Sequence, residues 1–157
     1  MIIWLASYPK SGNTLLRALL SSYFFTQDGL FNFNLIRNIG QFPDATLFKR
    51  LGVDIKNEKE TIKNYIKAQE FINKQGSIKF IKTHSYLFNI DNIPFTDLNN
   101  SLGAIYIVRD PRNVVTSYAH HYNISVEKAS ERMVNSIIYG GNFNNKHKSD
   151  RTKVFLG

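Results

Sequence analysis

Residues 2–25 read IIWLASYPKSGNTLLRALLSSYFF, and their order decides the fold. The first six are apolar and β-prone, and Pro9 and Gly12 bound them, so residues 2–7 read as a buried strand. From Asn13 the spacing turns helical. Leu15, Leu16, Leu19, Leu20 and Tyr23 recur at helical intervals, and the Leu16, Leu19, Leu20 stripe reads as core, with Asn13 or Thr14 as cap. Between strand and helix lies YPKSGNT, residues 8–14. A glycine in such a turn lets backbone amides approach a ligand. A helix N-terminus presents unpaired N–H groups and a partial positive charge. Together they make an anion cradle. Lys10 adds a mobile full charge, and Ser11, Asn13 and Thr14 add short polar side chains. The triphosphate pattern GxxxxGK[ST] is absent, because the lysine precedes the glycine. Taken alone, the stretch also fits a plain turn into a capped helix.

Working outward, SIKFIKT (77–83) alternates and reads as a second strand. LGAIYIVR (102–109) is nearly all apolar and reads as a third, buried on both faces as in a parallel sheet. NEKETIKNYIKAQEFINKQG (57–76) is an amphipathic helix with Ile62, Tyr65, Ile66, Ala68, Phe71 and Ile72 inward and Gly76 as its stop. DPRNVVTSYAHHY (110–122) is a helix with Asp110 at the cap and Pro111 in the first turn. SVEKASERMVNSIIYG (125–140) is another, from Ser125 to Gly140. Residues 26–57 read as short helices and loops, and 141–157 as an irregular tail. The alternation predicts one α/β domain over residues 1–157, a parallel sheet flanked by helices. Ligands of such sheets sit beyond the C-terminal strand ends. The three strand exits carry PKSGNT, KTHS and RDPRN, so these polar groups converge if the strands are parallel.

Composition sets the outer limits. The chain has 157 residues, a formal net charge of +8 and no cysteine, which excludes disulfides, thiolate zinc sites and cysteine nucleophiles. A basic surplus suits an anionic partner, a nucleic acid or membrane surface, or solubility alone. The lysines scatter rather than forming one run. No apolar stretch reaches the length of a membrane span, and no signal peptide is evident, so a cytoplasmic location is the default. Neither carboxylates nor His120, His121 and His147 form a pattern that suggests a metal.

YPKSGNT resembles the 5′-phosphosulfate loop of sulfotransferases that use 3′-phosphoadenosine 5′-phosphosulfate (PAPS), whose usual form is YPKSGTTW. IVRDPRNVVTSYAHHY resembles the 3′-phosphate motif of the same family, an arginine after a strand and a serine eight residues later. IKTHSY resembles its KTH segment. The three occur in family order, and the resemblance runs from Met1 to about Tyr139. It implies a P-loop-like fold and PAPS as donor, with 3′-phosphoadenosine 5′-phosphate (PAP) as product and no metal. By the same resemblance, backbone amides around Ser11, Gly12, Asn13 and Thr14 hold the phosphosulfate, and Lys10 neutralises the leaving phosphate. Arg109 and Ser117 hold the 3′-phosphate, and His84 takes the proton from a hydroxyl or amine of a small-molecule or glycan acceptor. A histidine titrates near neutrality and suits that work, although a lone histidine after a strand is also a common structural residue. Leu15 stands where the family often has tryptophan. The later Gly-rich Arg-Lys-Gly segment has no counterpart, so the sheet is expected to be incomplete relative to the family. Three other readings stand beside this one: a non-catalytic PAP- or PAPS-binding remnant, a P-loop-type small-molecule kinase, and a basic nucleic-acid-binding domain. The resemblance itself implies no nucleic acid.

Overall fold

The computed structural model describes residues 1–134, 137–139 and 154–156. Strand β1 (Ile2–Ser7) lies inside a four-stranded parallel sheet. Its neighbours are β3 (Lys79–Thr83) and β6 (Ser101–Ile107), and β2 (Gly40–Gln41) pairs with the far side of β3. The order is thus β2-β3-β1-β6. A two-stranded antiparallel hairpin, β4 (Asn89–Ile90) and β5 (Ile93–Pro94), fills the connection from β3 to β6.

Side chains alternate between sheet faces. Ile2, Trp4 and Ile81 share one face, and Trp4 pairs in register with Ile81 and Ala104. That face carries the main core, where Trp4, Phe42, Phe48, Tyr65, Phe88 and Phe95 meet edge to face or tilted. The helices over it are α2 (Ala45–Arg50), α3 (Glu58–Lys63) and α4 (Tyr65–Asn73). A short polar chain runs through this core: Trp4 Nε1 donates to Ser101 Oγ at 2.7 Å, Ser101 meets Thr96 Oγ1 at 2.6 Å, and Thr96 donates to Gln69 Oε1 at 2.5 Å. It satisfies groups whose burial would otherwise be costly. On the other face, Leu5 pairs in register with Lys82 and Ile105.

The expected fold class is confirmed, and several local expectations are corrected. Helix 57–76 is two helices, broken at Asn64. That residue turns its Nδ2 onto the Glu60 carbonyl at 2.9 Å, so side chain competes with backbone for the helix ladder. Phe71 is exposed rather than inward, with the Lys74 ammonium 5.7 Å from its ring centre. On α1 (Asn13–Phe25) the stripe expected to be core is not: Leu19 is 61% exposed, Leu16 and Leu20 are half-buried, and the buried residues are Asn13 and Ser21. Polar inward bonds set the rotation of this helix. The sequence reads β6 as buried on both faces, but among the described residues it is an edge strand. Leu102, Tyr106 and Val108 at or just beyond it are 53%, 66% and 76% exposed.

Residues 26–57 do form short elements, a 3-10 segment (Phe33–Asn38) and α2. Asp110 and Pro111 open α5 (Pro111–Tyr122) as expected, with the Asp110 side chain accepting from the Arg112 N–H. Ser125 Oγ accepts from the Lys128 N–H at the start of α6 (Val126–Val134). That helix is described as far as Val134 and does not run on to Gly140. Ile137–Tyr139 instead forms a strand, β7, antiparallel to β8 (Val154–Leu156), so the tail is not wholly irregular. The rest of the tail, and Gly140, lie outside the described residues.

Candidate active site

The three predicted strand exits do converge. They line one cleft of about 470 Å³, within the usual size range of small-ligand sites. The loop after β1 supplies Pro9, Lys10, Gly12, Asn13 and Thr14, the exit of β3 supplies Lys82 and His84, and Arg109 follows β6. Ser117, His121 and Tyr122 complete it from α5.

The loop geometry follows from its residues. Gly12 takes a φ of 108°, a conformation L side chains rarely adopt, and serves as the N-cap of α1. Asn13 was expected to cap that helix but does not. Its Nδ2 reaches inward instead, to the Leu5 carbonyl at 2.8 Å and Ser7 Oγ at 3.1 Å. Lys10 holds a φ of 69°, costly for a residue with a Cβ. Arg109 Nη1 donates to the Lys10 carbonyl at 3.1 Å, which ties the third exit to the first. Ser11 is buried, and its N–H donates to the Tyr8 carbonyl at 3.2 Å, so it stands behind the cleft rather than in its lining. Arg112 turns away to the surface, forked onto both Asp110 oxygens at 2.6–3.1 Å.

His84 is half-buried, with Nδ1 2.7 Å from the Ser7 carbonyl and 3.3 Å from Ser7 Oγ. A carbonyl only accepts, so Nδ1 carries the hydrogen and Nε2 keeps its lone pair. Burial, and then the charge of Lys82, push its pKa down to about 4; the Ser7 bond pulls upward, and Arg17 adds the smallest of these effects, a further lowering. The imidazole is therefore neutral at pH 7. Lys82 is pushed down to about 8, by burial first and then by Arg17.

The depressed His84 pKa has a stability consequence. Between its ordinary 6.5 and about 4 the unfolded chain binds the proton more readily. The contribution is complete above pH 6.5 and is lost as pH falls toward 4. We expect about 3 kcal/mol of unfolding free energy to go over that window. Urea titrations at successive pH values measure it, and a His84→Gln protein with the same loss would contradict the assignment.

The sequence reading missed Lys82, His121 and Tyr122 as cleft residues. Signals for two of them were present. Lys82 is two residues before His84 and so shares its side of the extended chain. His121 lies four residues after Ser117, on the same helix face. Among the described residues, no group of three His, Cys, Asp or Glu side chains is placed to hold a metal ion. Nor is any helix there long and apolar enough to cross a membrane.

A family model described as the sulfotransferase domain matches residues 2–151. The chain belongs to the sulfotransferase family. The match takes in all three cleft-lining motifs, so the resemblance carried by the short motifs extends to nearly the whole sequence. No curated protein and no solved structure matches this sulfotransferase-family chain.

Proposed function

We propose that this sulfotransferase-family chain binds PAPS in the cleft and transfers its sulfuryl group to a hydroxyl or amine of a small-molecule acceptor, with His84 as general base. The observation that carries this reading is the neutral, pre-oriented imidazole, with Lys10 and Lys82 lining the same cleft. The residues present suit the donor. The N-terminus of α1, Gly12 and Lys10 favour a phosphosulfate anion. Ser117 and Arg109 supply a hydroxyl and a charged fork for a second phosphate.

In the reaction the acceptor oxygen or nitrogen forms a bond to sulfur, and the bond from sulfur to the bridging phosphate oxygen breaks. The acceptor proton passes to His84 Nε2, and PAP leaves. Such transfers gain most from positioning and from stabilising developing charge. Lys10 is assigned to the charge on the leaving phosphate. Ser7 and Asn13 act on His84 from behind: Asn13 holds Ser7, and the Ser7 carbonyl holds Nδ1.

Nucleotide binding is the direct test. PAP is expected to raise the melting temperature more than ADP or AMP at equal concentration, because native-state binding stabilises by mass action. Equal shifts with all three would remove the case for a 3′-phosphate site. A second reading, nucleotide binding without turnover, is favoured by the exposed apolar residues of β6 beside Arg109. A PAP-specific shift without transfer of labelled sulfate from PAPS to a panel of phenols, alcohols, amines and glycans would select it.

A further inference from the structure

Arg17 on α1 is half-buried. Its Nη2 donates to the carbonyls of Ile36 at 3.0 Å and Ile39 at 2.6 Å. Its Nε is buried and has no hydrogen-bond partner. No carboxylate pairs with it among the described residues. A half-buried guanidinium without an acid carries a desolvation cost, and burial pulls even its own pKa down.

Its position explains what it could do. Ile36 and Ile39 close the 3-10 segment, and the next two residues are β2. β2 pairs with β3 at Gly40↔Ile81 and Gln41↔Lys82, and the Phe42 N–H donates to the Lys82 carbonyl at 2.8 Å. Arg17 therefore fastens the helix that follows the donor loop to the backbone alongside Lys82. We propose that Arg17 is a positioning residue, one that holds β2 in register beside Lys82 and sets a permanent positive charge behind Lys82 and His84. This deepens the sulfuryl-transfer reading and rests on it.

The electrostatic part follows by sign. A fixed positive charge disfavours protonation of both groups; Arg17 is the main charge acting on Lys82 and adds a smaller lowering at His84, behind burial and Lys82. For the base this matters directly, since a protonated imidazole cannot accept the acceptor's proton. Of the groups around it, His84 meets Lys82 on its own strand exit, Arg17 on α1 and the Ser7 carbonyl on β1. The cleft's other titratable groups are Lys10, Arg109, His121 and Tyr122.

The test is an NMR pH titration of the His84 ring, assigned with His84→Gln, and of Lys82 by its ε-methylene signals. It needs neither donor nor acceptor, so it reads the Arg17 effect even if transfer fails, while the PAP melting shift tests the reading itself. In Arg17→Gln the midpoints are expected to rise from about 4 for His84 and about 8 for Lys82. Hydrogen exchange at the Phe42 amide should accelerate in the same protein. Arg17→Lys, which keeps the charge, should leave both midpoints near wild type. Unmoved midpoints in a folded Arg17→Gln protein, or equal upward shifts in Arg17→Lys, overturn the proposal. Should Arg17→Gln not fold, Arg17→Met serves as the neutral variant under the same criterion.

Discussion

His84→Ala is expected to lower kcat by roughly 10²–10⁴ and to leave PAP affinity nearly unchanged. The split follows from the geometry. The ring is held from the Ser7 side, through Nδ1 at 2.7 Å from the carbonyl, and its working nitrogen is Nε2. Nothing in that arrangement asks it to bind nucleotide phosphate, which is the task assigned to the α1 N-terminus, Lys10 and Arg109. Steady-state kinetics beside PAP titration separates the two effects. The pH profile adds an independent check. With a pKa near 4, the base form persists well below pH 6.5, so the acid limb of kcat/KM should fall near 4. A limb near 6.5, or an alanine protein with normal kcat, would show that the proton goes elsewhere.

Lys10→Gly should lower turnover by about 10²–10³, the usual cost of removing one stabiliser of transition-state charge, and yet not destabilise the protein. Lys10 stands at a φ of 69°. Glycine removes the Cβ penalty of that conformation, about 1–2 kcal/mol, and returns part of it as chain entropy. Lys10→Ala removes the same charge but keeps the Cβ. The expected order of unfolding free energy is therefore glycine above alanine, with both proteins impaired in turnover and in PAPS binding. Denaturation curves for the pair, set beside their kinetics, measure this. A glycine protein less stable than the alanine one would mean that the loop conformation carries no strain, and full turnover in either would remove Lys10 from the reaction.

The conformation at Lys10 also shows where sequence reading stops. YPKSGNT announces a turn with a glycine and a lysine between strand and helix. That much is local chemistry, and Gly12 does cap α1 at positive φ. The left-handed backbone at Lys10 is not announced, because it is held from outside by Arg109, 99 positions away. Asn13 teaches the same lesson. By propensity it is a cap, and in the fold it is a buried donor to Leu5 and Ser7. The side chain turned inward to a strand carbonyl and a buried hydroxyl, which no helix rule takes into account.

Composition and periodicity by themselves determined the three main strands and the caps at Asp110 and Ser125, since each depends on residues within one or two turns, and they made the strand exits converge only on the condition of a parallel sheet, which the tertiary structure meets. The tertiary structure alone decided burial and charge state. LGAIYIVR reads as a buried central strand, but its place in the order β2-β3-β1-β6 puts it at an edge, and an apolar run has no means of recording which strands flank it. The α1 leucines read as core, but inward bonds from Asn13 and Arg17 turn the helix and leave Leu15 and Leu19 outside. His84 reads as a residue titrating near neutrality. Only packing brings the Ser7 carbonyl, Lys82 and Arg17 around it, because burial and charge act through space while the sequence orders residues along the chain.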